Sequence, residues 1–336
     1  MKTSKIVLLI FSMMLLVGCG QAPTKDTSSL VVEEEKASEE SSAENDAPDT
    51  EKLTIALVMK TLTNPFFVEM EKGAREAEKE LGINLLVKTG AQETSIEQQI
   101  SIIKTLIDEK VDAIVIAPAD SKQLIPILKK AQDAGIPIVN VDNKLDPEVS
   151  KELGLENVPY ISVDNEQGAY LSAKYISDQI SSPTQVAILE GIQTAKNAQD
   201  RRDGAIRAFE ENENIEIVAV ETANWQIDEA NTVISQIYEE HPDIGAVFCA
   251  NDMMAFGVVQ YLQEAGKTEV LVGAYDALDD AKAAIREGTM QTTIDQQAAL
   301  QAYTGVQFAV QAINGETLSA ETLVDVKLIT KDNVDE

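Results

Sequence analysis

The sequence contains few of the residues on which metal centres and catalytic triads depend. One histidine and two cysteines occur among its 336 residues, which argues against a histidine-based metal site and against a Ser-His-Asp triad. The Gly-x-x-x-x-Gly-Lys signature of a phosphate-binding loop is also missing from the sequence. We therefore expect no metal, no cofactor and no nucleotide chemistry in this chain.

Basic residues are scarce as well. The chain has 27 lysines and arginines against 57 aspartates and glutamates, which gives a formal net charge of −30. Such a charge repels nucleic acid and anionic lipid headgroups, so no nucleic-acid partner is expected. Aromatic residues make up only 4% of the chain, which makes the adjacent pair Phe66 and Phe67 conspicuous.

The N-terminus lacks an apolar run long enough to cross a bilayer. The run IVLLIFSMMLLV has twelve residues, fewer than the about 20 that a membrane-spanning helix needs. It follows the basic segment MKTSK and is typical of a secretory signal. The residues LVGCG that end this region resemble the bacterial lipoprotein box, which implies cleavage before Cys19 and lipidation of that cysteine. Residues 1–18 are thus predicted to be a lipoprotein signal peptide, with an ordinary signal peptide as the alternative.

Residues 19–52 have almost nothing to bury. From residue 20 onward they include ten acidic residues and three lysines, so we expect a disordered, self-repelling tether. The protein is then held to the membrane by lipid alone and faces the periplasm or the extracellular side. If Cys19 is lipidated, Cys249 is left as a buried free thiol in the apolar run AVFCAND; a Cys19–Cys249 disulfide is the alternative.

From residue 53 onward, short apolar runs alternate with amphipathic stretches. Ten runs are candidate strands: LTIALVM, INLLVKT, DAIVIAP, IPIVNVD, YISVDN, QVAILEG, IEIVAVETA, IGAVFCAND, EVLVGAYD and QTTIDQ. This alternation predicts parallel sheets covered by helices on both faces. Ten strands are too many for one small open sheet, and the segment NKLDPEVSKELGLENVP interrupts the alternation of strands and helices. We therefore expect two doubly wound halves. An eightfold (β/α) barrel is the alternative.

Polar and aromatic side chains follow most of these strands, where ligands bind in doubly wound folds. The sequence places TLTNPFF after the first strand, Asp142 after the fourth, Trp225 after the seventh, Asn251 after the eighth and Asp276 after the ninth. Carboxylates and amides bind hydroxyl groups, and flat aromatic faces match the C–H face of a sugar ring. We therefore expect a slot for a carbohydrate or polyol. Asp252 is expected to cap the helix that follows it rather than to bind ligand.

Seven motifs occur in an order that resembles the periplasmic sugar-binding proteins of the ribose-binding type, the receptors of ABC importers. They are TNPFF, DAIVIAPADS, AGIPIVNVD, SVDN, CANDMMAFG, GAYD and TIDQ, and the resemblance covers residues 53–332. It implies an α/β fold of two doubly wound parallel-sheet lobes joined by a three-strand hinge, a periplasmic binding protein of type I. The hinge is expected near Val163 and Asp164, near Gln296 and Gln297, and near Asp325.

The resemblance also implies domain bounds, partners and ligand contacts. The N-terminal lobe is expected at 53–163 plus 297–325, and the C-terminal lobe at 164–296 plus 326–336. The protein is expected to be a monomer that serves an ABC permease with a separate ATPase chain. The implied sugar contacts are Asn64, Phe66, Phe67, Asp142, Asn165, Trp225, Asn251, Asp276 and Gln296.

Two positions depart from the ribose-binding pattern. Asn143 and Gln199 stand where that family has arginines, while Arg201 and Arg202 match the register of a structural arginine. Because an amide does not replace a guanidinium fork, Asn143 and Gln199 are expected to widen the specificity from ribose toward fructose, another hexose or a polyol.

Three other functions compete with the importer receptor. A receptor of the same fold that serves a chemoreceptor or sensor kinase fits the sequence equally well. A glycosidase would need two paired carboxylates, and Asp142 and Asp276 are the candidates, but no nucleophile motif accompanies them. A sugar-responsive transcription regulator would need a helix-turn-helix N-terminus, where this chain has the lipoprotein box.

Overall fold

The computed structural model of the protein describes residues 52–336. The predicted signal peptide, Cys19 and all but the last residue of the predicted tether lie outside these described residues. Among residues 52–336, no helix combines the length and the hydrophobicity that a bilayer crossing requires.

The first sheet has six strands, all parallel to their neighbours. They are β1 (Thr54–Met59), β2 (Asn84–Thr89), β3 (Ala113–Ile116), β4 (Ile138–Val141), β5 (Tyr160–Val163) and β11 (Glu321–Val324), in the spatial order β11-β5-β4-β3-β1-β2. The helices of this half are α1 (Pro65–Leu81), α2 (Ile96–Glu109), α3 (Ile125–Asp133), α4 (Pro147–Leu153) and α10 (Ala298–Ile313).

The second sheet repeats this arrangement with one antiparallel edge strand. Its strands are β6 (Thr184–Glu190), β7 (Ile215–Thr222), β8 (Ile244–Cys249), β9 (Leu271–Gly273), β10 (Thr292–Asp295) and β12 (Lys327–Thr330), in the order β12-β10-β9-β8-β6-β7. The edge strand β12 runs antiparallel to its neighbour, β10. The helices are α5 (Asn165–Ser177), α6 (Lys196–Glu210), α7 (Ile227–Glu240), α8 (Asp252–Glu264) and α9 (Asp279–Glu287).

Burial on both faces of each sheet explains why the strands read as continuous apolar runs. In β1, Ile55, Leu57 and Met59 contribute to one hydrophobic cluster, whereas Ala56 and Val58 contribute to another. Successive side chains of a strand point to opposite faces, so both faces of β1 must be apolar.

The predicted class, an α/β fold with two doubly wound parallel sheets, is confirmed, and the single barrel is wrong because the two sheets are separate and open. All ten predicted strands are present, and β11 and β12 are additional. The interruption at residues 143–159 does not separate the halves: it contains α4 and leads into β5 of the same first sheet. Cys249 is a buried free thiol, as predicted.

The chain passes between the two sheets three times. It leaves β5 for α5, returns from β10 to α10, and crosses again between β11 and β12. Because both sheets present the carboxyl ends of their parallel strands near these crossings, the loops after the strands meet between the sheets.

Candidate ligand-binding site

A buried cavity lies between the carboxyl ends of the two sheets. Residues from both sheets line it: Lys60, Asn64, Phe66, Phe67, Glu93, Asp142, Asn197, Arg201, Trp225, Asn251, Asp276 and Gln296. Their side chains are almost fully shielded from solvent. The cavity is therefore lined by nine polar side chains and three aromatic rings, all of them buried.

The loop and helix after β1 build one wall. Asn64 caps α1 because its Oδ1 accepts a hydrogen bond from the backbone N of Phe66 at 3.0 Å, and Pro65 occupies the first helical position, where its fixed φ suits a helix start. The rings of Phe66 and Phe67 meet edge to face, with centroids 5.0 Å apart and planes at 77°. The sequence Asn-Pro-Phe-Phe thus starts a helix and presents two rings to the cavity.

Asp142 occupies the end of β4 and links the two halves. Lys60 Nζ lies 3.1 Å from its Oδ2, and Asn197 Nδ2, from the second half, donates to its Oδ1 at 3.3 Å. On the first half, Asn64 Nδ2 donates to Glu93 Oε1 at 2.8 Å. Carboxylates and their donors therefore alternate along this side of the cavity.

Arg201, on α6, organises the opposite side. Its Nε donates to Asn165 Oδ1 at 2.8 Å, its Nη1 to the carbonyl of Ala250 at 3.0 Å and its Nη2 to Gln296 Oε1 at 3.1 Å. Gln296 Nε2 in turn donates to Asp276 Oδ1 at 2.6 Å. The guanidinium is fixed by three hydrogen bonds and lies 3.5 Å from the Asp276 carboxylate.

Trp225 forms the third aromatic wall. Its ring packs so closely on Gly191 that a Cβ there would lie 2.0 Å from the ring. Lys60 Nζ and the Arg201 guanidinium carbon lie 5.8 Å and 5.6 Å from the ring centroid, within the range of cation–π attraction. Asn251 caps α8 by accepting from Met254 N at 2.9 Å and also lines the cavity.

Burial raises the pKa values of two cavity carboxyl groups. Desolvation raises the pKa of Glu93, against the opposing effects of Lys60 and of the hydrogen bond from Asn64. Desolvation likewise raises the pKa of Asp276 to about 7, against the charge of Arg201 and the hydrogen bond from Gln296. The protein holds these acids at an electrostatic cost, which is common where side chains serve a ligand.

Two further features of the cavity are typical of ligand-binding sites. Asn197 Oδ1 and Trp225 Nε1 are buried without a hydrogen-bond partner, and such orphaned polar atoms are rare unless a ligand or water completes them. Asp142, Trp225 and Asp276 have φ values of 62°, 67° and 120°. Non-glycine residues in this region carry strain, which clusters at functional sites.

Eight of the eleven predicted contact residues line the cavity, and three do not. The eight are Asn64, Phe66, Phe67, Asp142, Trp225, Asn251, Asp276 and Gln296. Asn165 lies behind the cavity and fixes Arg201. Gln199 is half-buried and donates to the carbonyl of Gln193, because its place on α6 turns it away from the cavity. Asn143 is buried among the carbonyl of Pro118, the hydroxyl of Ser121 and the backbone of Asn197.

The prediction that Asp252 caps a helix is wrong. Asn251 is the capping residue of α8, and Asp252 is the first residue of the helix. The Asp252 carboxylate accepts from Thr293 Oγ1 at 2.7 Å and from Leu278 N at 2.8 Å. Its desolvation raises its pKa well above the usual value. Asp252 therefore holds the loop that carries Asp276.

Four lining residues are missing from the predicted contacts: Lys60, Glu93, Asn197 and Arg201. Lys60 directly follows β1, and Glu93 lies in the loop after β2, so strand-end position alone would have found both. Asn197 and Arg201 are four residues apart on α6, which places them on one helical face. The resemblance implies a structural role for Arg201, whereas the structure puts Arg201 in the cavity wall.

Comparison with known proteins identifies the family of the chain. The periplasmic binding protein domain matches residues 55–317. The D-ribose/D-allose-binding protein of Pseudomonas aeruginosa is 42% identical over 81% of this chain and 85% of its own length. The chain belongs to the periplasmic binding protein family.

Solved structures of this family share the fold. An ABC transporter solute-binding protein of Actinobacillus succinogenes with bound D-allose has a TM-score of 0.80 and 39% identity, covering 84% of this chain and 99% of its own. One from Burkholderia multivorans, which holds an unknown ligand, has a TM-score of 0.80 and 40% identity, covering 83% and 99%. Periplasmic binding proteins of this kind bind a solute and serve ABC importers.

Proposed function

We propose that this protein is a membrane-tethered receptor that binds one neutral monosaccharide in the cavity between its two sheets and delivers it to an ABC importer. The observation that carries this proposal is the set of side chains that line the cavity: aromatic rings from both halves, with carboxylates, amides and two cations around them. A sugar has matching surfaces, because its C–H faces are apolar and its hydroxyl groups both donate and accept.

The ligand class follows from the relatives and from the wall chemistry. Two of these relatives are named for ribose and allose or hold D-allose, which favours an aldose of five or six carbons over a ketose or an inositol. Phe66, Phe67 and Trp225 are the stacking residues of the proposal. Asp142 and Asp276 accept hydrogen bonds from hydroxyl groups, and the orphaned Nε1 of Trp225 and Oδ1 of Asn197 gain partners when the sugar binds.

The two halves are proposed to act as lobes that close on the sugar. We assign residues 53–163 and 297–325 to one lobe and residues 164–296 and 326–336 to the other, with the three crossings as the hinge. The permease then recognises the outer surface of the closed form. A separate chain hydrolyses ATP. The receptor is proposed to work as a monomer.

We propose no catalytic step. The paired-carboxylate mechanism of glycosidases needs one acid free to donate a proton and one base free to attack. Here Asp142 faces Lys60 at 3.1 Å and Asp276 accepts from Gln296 at 2.6 Å. Each carboxylate is thus already engaged by a neighbouring side chain of the site.

A calorimetric and thermal-shift screen tests the receptor. D-Allose, D-ribose, D-fructose and myo-inositol are compared with free amino acids as the negative set. A ligand at a hundredfold excess over its Kd stabilises the native state by about 2.7 kcal/mol, so a binding sugar gives a clear shift. Asp276→Asn should weaken that binding, whereas the exposed Asp279→Asn, outside the twelve lining residues, is the matched control. A response only to amino acids would contradict the proposal.

The membrane anchor is proposed separately, on the sequence LVGCG at Cys19. In a bacterial host fed with labelled palmitate, the wild-type chain should take up label and sediment with membranes. Cys19→Ser should do neither while it keeps its sugar affinity. Label in the Cys19→Ser variant would contradict the assignment of the lipidated residue.

A further inference from the structure

The amino terminus of α6 lacks a cap of its own. Its N-cap residue is Ala195, which makes no side-chain hydrogen bond to the first turn. The first N–H groups of a helix have no partner inside the helix, and a buried N–H without a partner is costly. This terminus matters because α6 carries Asn197 and Arg201 into the cavity.

The missing partners come from the other sheet. The backbone N of Lys196 donates to Ser121 Oγ at 3.0 Å, and that of Asn197 donates to Asn143 Oδ1 at 3.3 Å. In the opposite direction, Ser121 N donates to the carbonyl of Thr194 at 3.3 Å. Ser121 follows β3 and Asn143 follows β4, so both acceptors belong to the first half, whereas α6 belongs to the second.

The two acceptors are also hydrogen-bonded within their own half. Asn143 Nδ2 donates to the carbonyl of Pro118 at 3.0 Å, and Ser121 Oγ donates to Asn143 Oδ1 at 3.3 Å. The two residues, Asn143 and Ser121, are 0% and 4% exposed, and neither lines the cavity. They therefore form a fixed docking point for the end of a helix rather than a ligand contact.

We infer that Ser121 and Asn143 are a closure latch: positioning residues that cap α6 across the cleft and so set the affinity for every sugar without touching any. This inference rests on the proposed sugar-binding function. Asn143, predicted to set specificity, instead acts on closure. Because the latch joins opposite halves, its bonds form when the cleft closes and place Asn197 and Arg201 against the ligand.

The latch has a distinctive energetic signature. Apparent affinity scales with the population of the closed sugar-bound state relative to the open sugar-bound state. Loss of one helix cap changes such a population by about fivefold. Every sugar should lose affinity by that same factor, and the order of preference should stay as in the wild type. The loss should appear in the dissociation rate, because sugar enters before the latch forms.

The test compares Ser121→Ala with Ser177→Ala in the full-length chain. Ser177 is a matched control because it is also buried, and its Oγ donates to the carbonyl of Ala208 within the second half. Calorimetry and stopped-flow mixing with D-allose and D-ribose should show about fivefold faster release for Ser121→Ala. The association rate of Ser121→Ala should match that of wild type, and Ser177→Ala should leave both affinities unchanged.

A second variant separates closure from helix stability. Ala195→Ser, added to Ser121→Ala, supplies a cap within α6 itself but makes no bond across the cleft. We expect its affinity to stay low; recovery to the wild-type value would overturn the latch. Equal affinities of Ser121→Ala and wild type would also overturn the latch while sugar binding stands. If the wild type itself binds no sugar, the receptor proposal falls, and the latch falls with it.

Discussion

Substitution of Trp225 should change the affinity for sugar strongly. Trp225 packs on Gly191 and lies within cation–π distance of Lys60 and Arg201. Trp225→Ala should weaken sugar binding by at least about thirtyfold, as expected for a buried aromatic anchor. Trp225→Phe should retain most of the affinity, because a smaller ring still stacks. Calorimetry measures both, and wild-type affinity of the alanine variant would remove Trp225 from the site.

Asp276 gives a prediction on pH. Desolvation raises its folded-state pKa to about 7, above the usual value for an aspartate, so the folded protein binds more protons than the unfolded chain between about pH 4 and pH 7. The contribution of this group to stability is therefore present at low pH and is lost as pH rises toward 7. Asp276→Asn removes this dependence.

Thermal melts of the ligand-free protein test that sign. The melting temperature of Asp276→Asn minus that of wild type should increase from about pH 4 to about pH 7 and then level off. Asp279→Asn, which changes an exposed carboxylate on α9, should show no such trend. A difference that shrinks as pH rises would mean that Arg201 and Gln296 outweigh desolvation at Asp276.

The sequence predicts single site residues more reliably when they follow strands than when they lie on helices. Asp142 and Asp276 are accessible to prediction because parallel strands all deliver their ends to one edge. Whether Arg201 or Gln199 faces the cavity depends on how α6 is rotated and on where its N-terminus docks. That rotation is fixed by the packing of α6 on α5, where a Cβ on Gly204 would lie 2.1 Å from the carbonyl O of Glu166, and the sequence of α6 alone does not contain this contact.

Among the elements, α1, which carries Phe66 and Phe67, packs closely against α10. Gly73 of α1 lies so close to α10 that a Cβ there would be 1.9 Å from the carbonyl O of Ala299. Gly73→Ala should therefore lower the free energy of unfolding by about 1–3 kcal/mol, despite the better helix propensity of alanine. Urea unfolding measures this change. Glu76→Ala, on the exposed side of α1, should stay within about 0.5 kcal/mol.

The strands differ in how clearly the sequence predicts them. β1, β3 and β4 are buried on both faces, so they appear as apolar runs. β11 has four residues that alternate between exposed and half-buried, and β12 is buried only at its end. Their pairing with β5 and β10 comes from the path of the chain between the two sheets, which composition does not encode.

For the whole molecule, charge is the dominant collective property. A net charge of −30 opposes a compact state through self-repulsion, and salt screens it. The melting temperature should rise from low to moderate NaCl concentration, by roughly 2–4 °C for each kcal/mol of repulsion relieved. Sodium sulfate also stabilises the burial of apolar surface in any protein. NaCl is therefore the salt that tests charge screening. A melting temperature independent of NaCl would show that the charges are too far apart to matter.

The position of Trp225 should also make the intrinsic fluorescence of the protein sensitive to ligand binding. It is the only tryptophan in the chain, so light absorbed beyond the tyrosine band excites one indole, and that indole is in the cavity wall. Its emission responds to water and to the charges of Lys60 and Arg201 beside it. Entry of a ligand should therefore shift the colour or intensity of the emission, so that binding and release can be followed in real time without a dye.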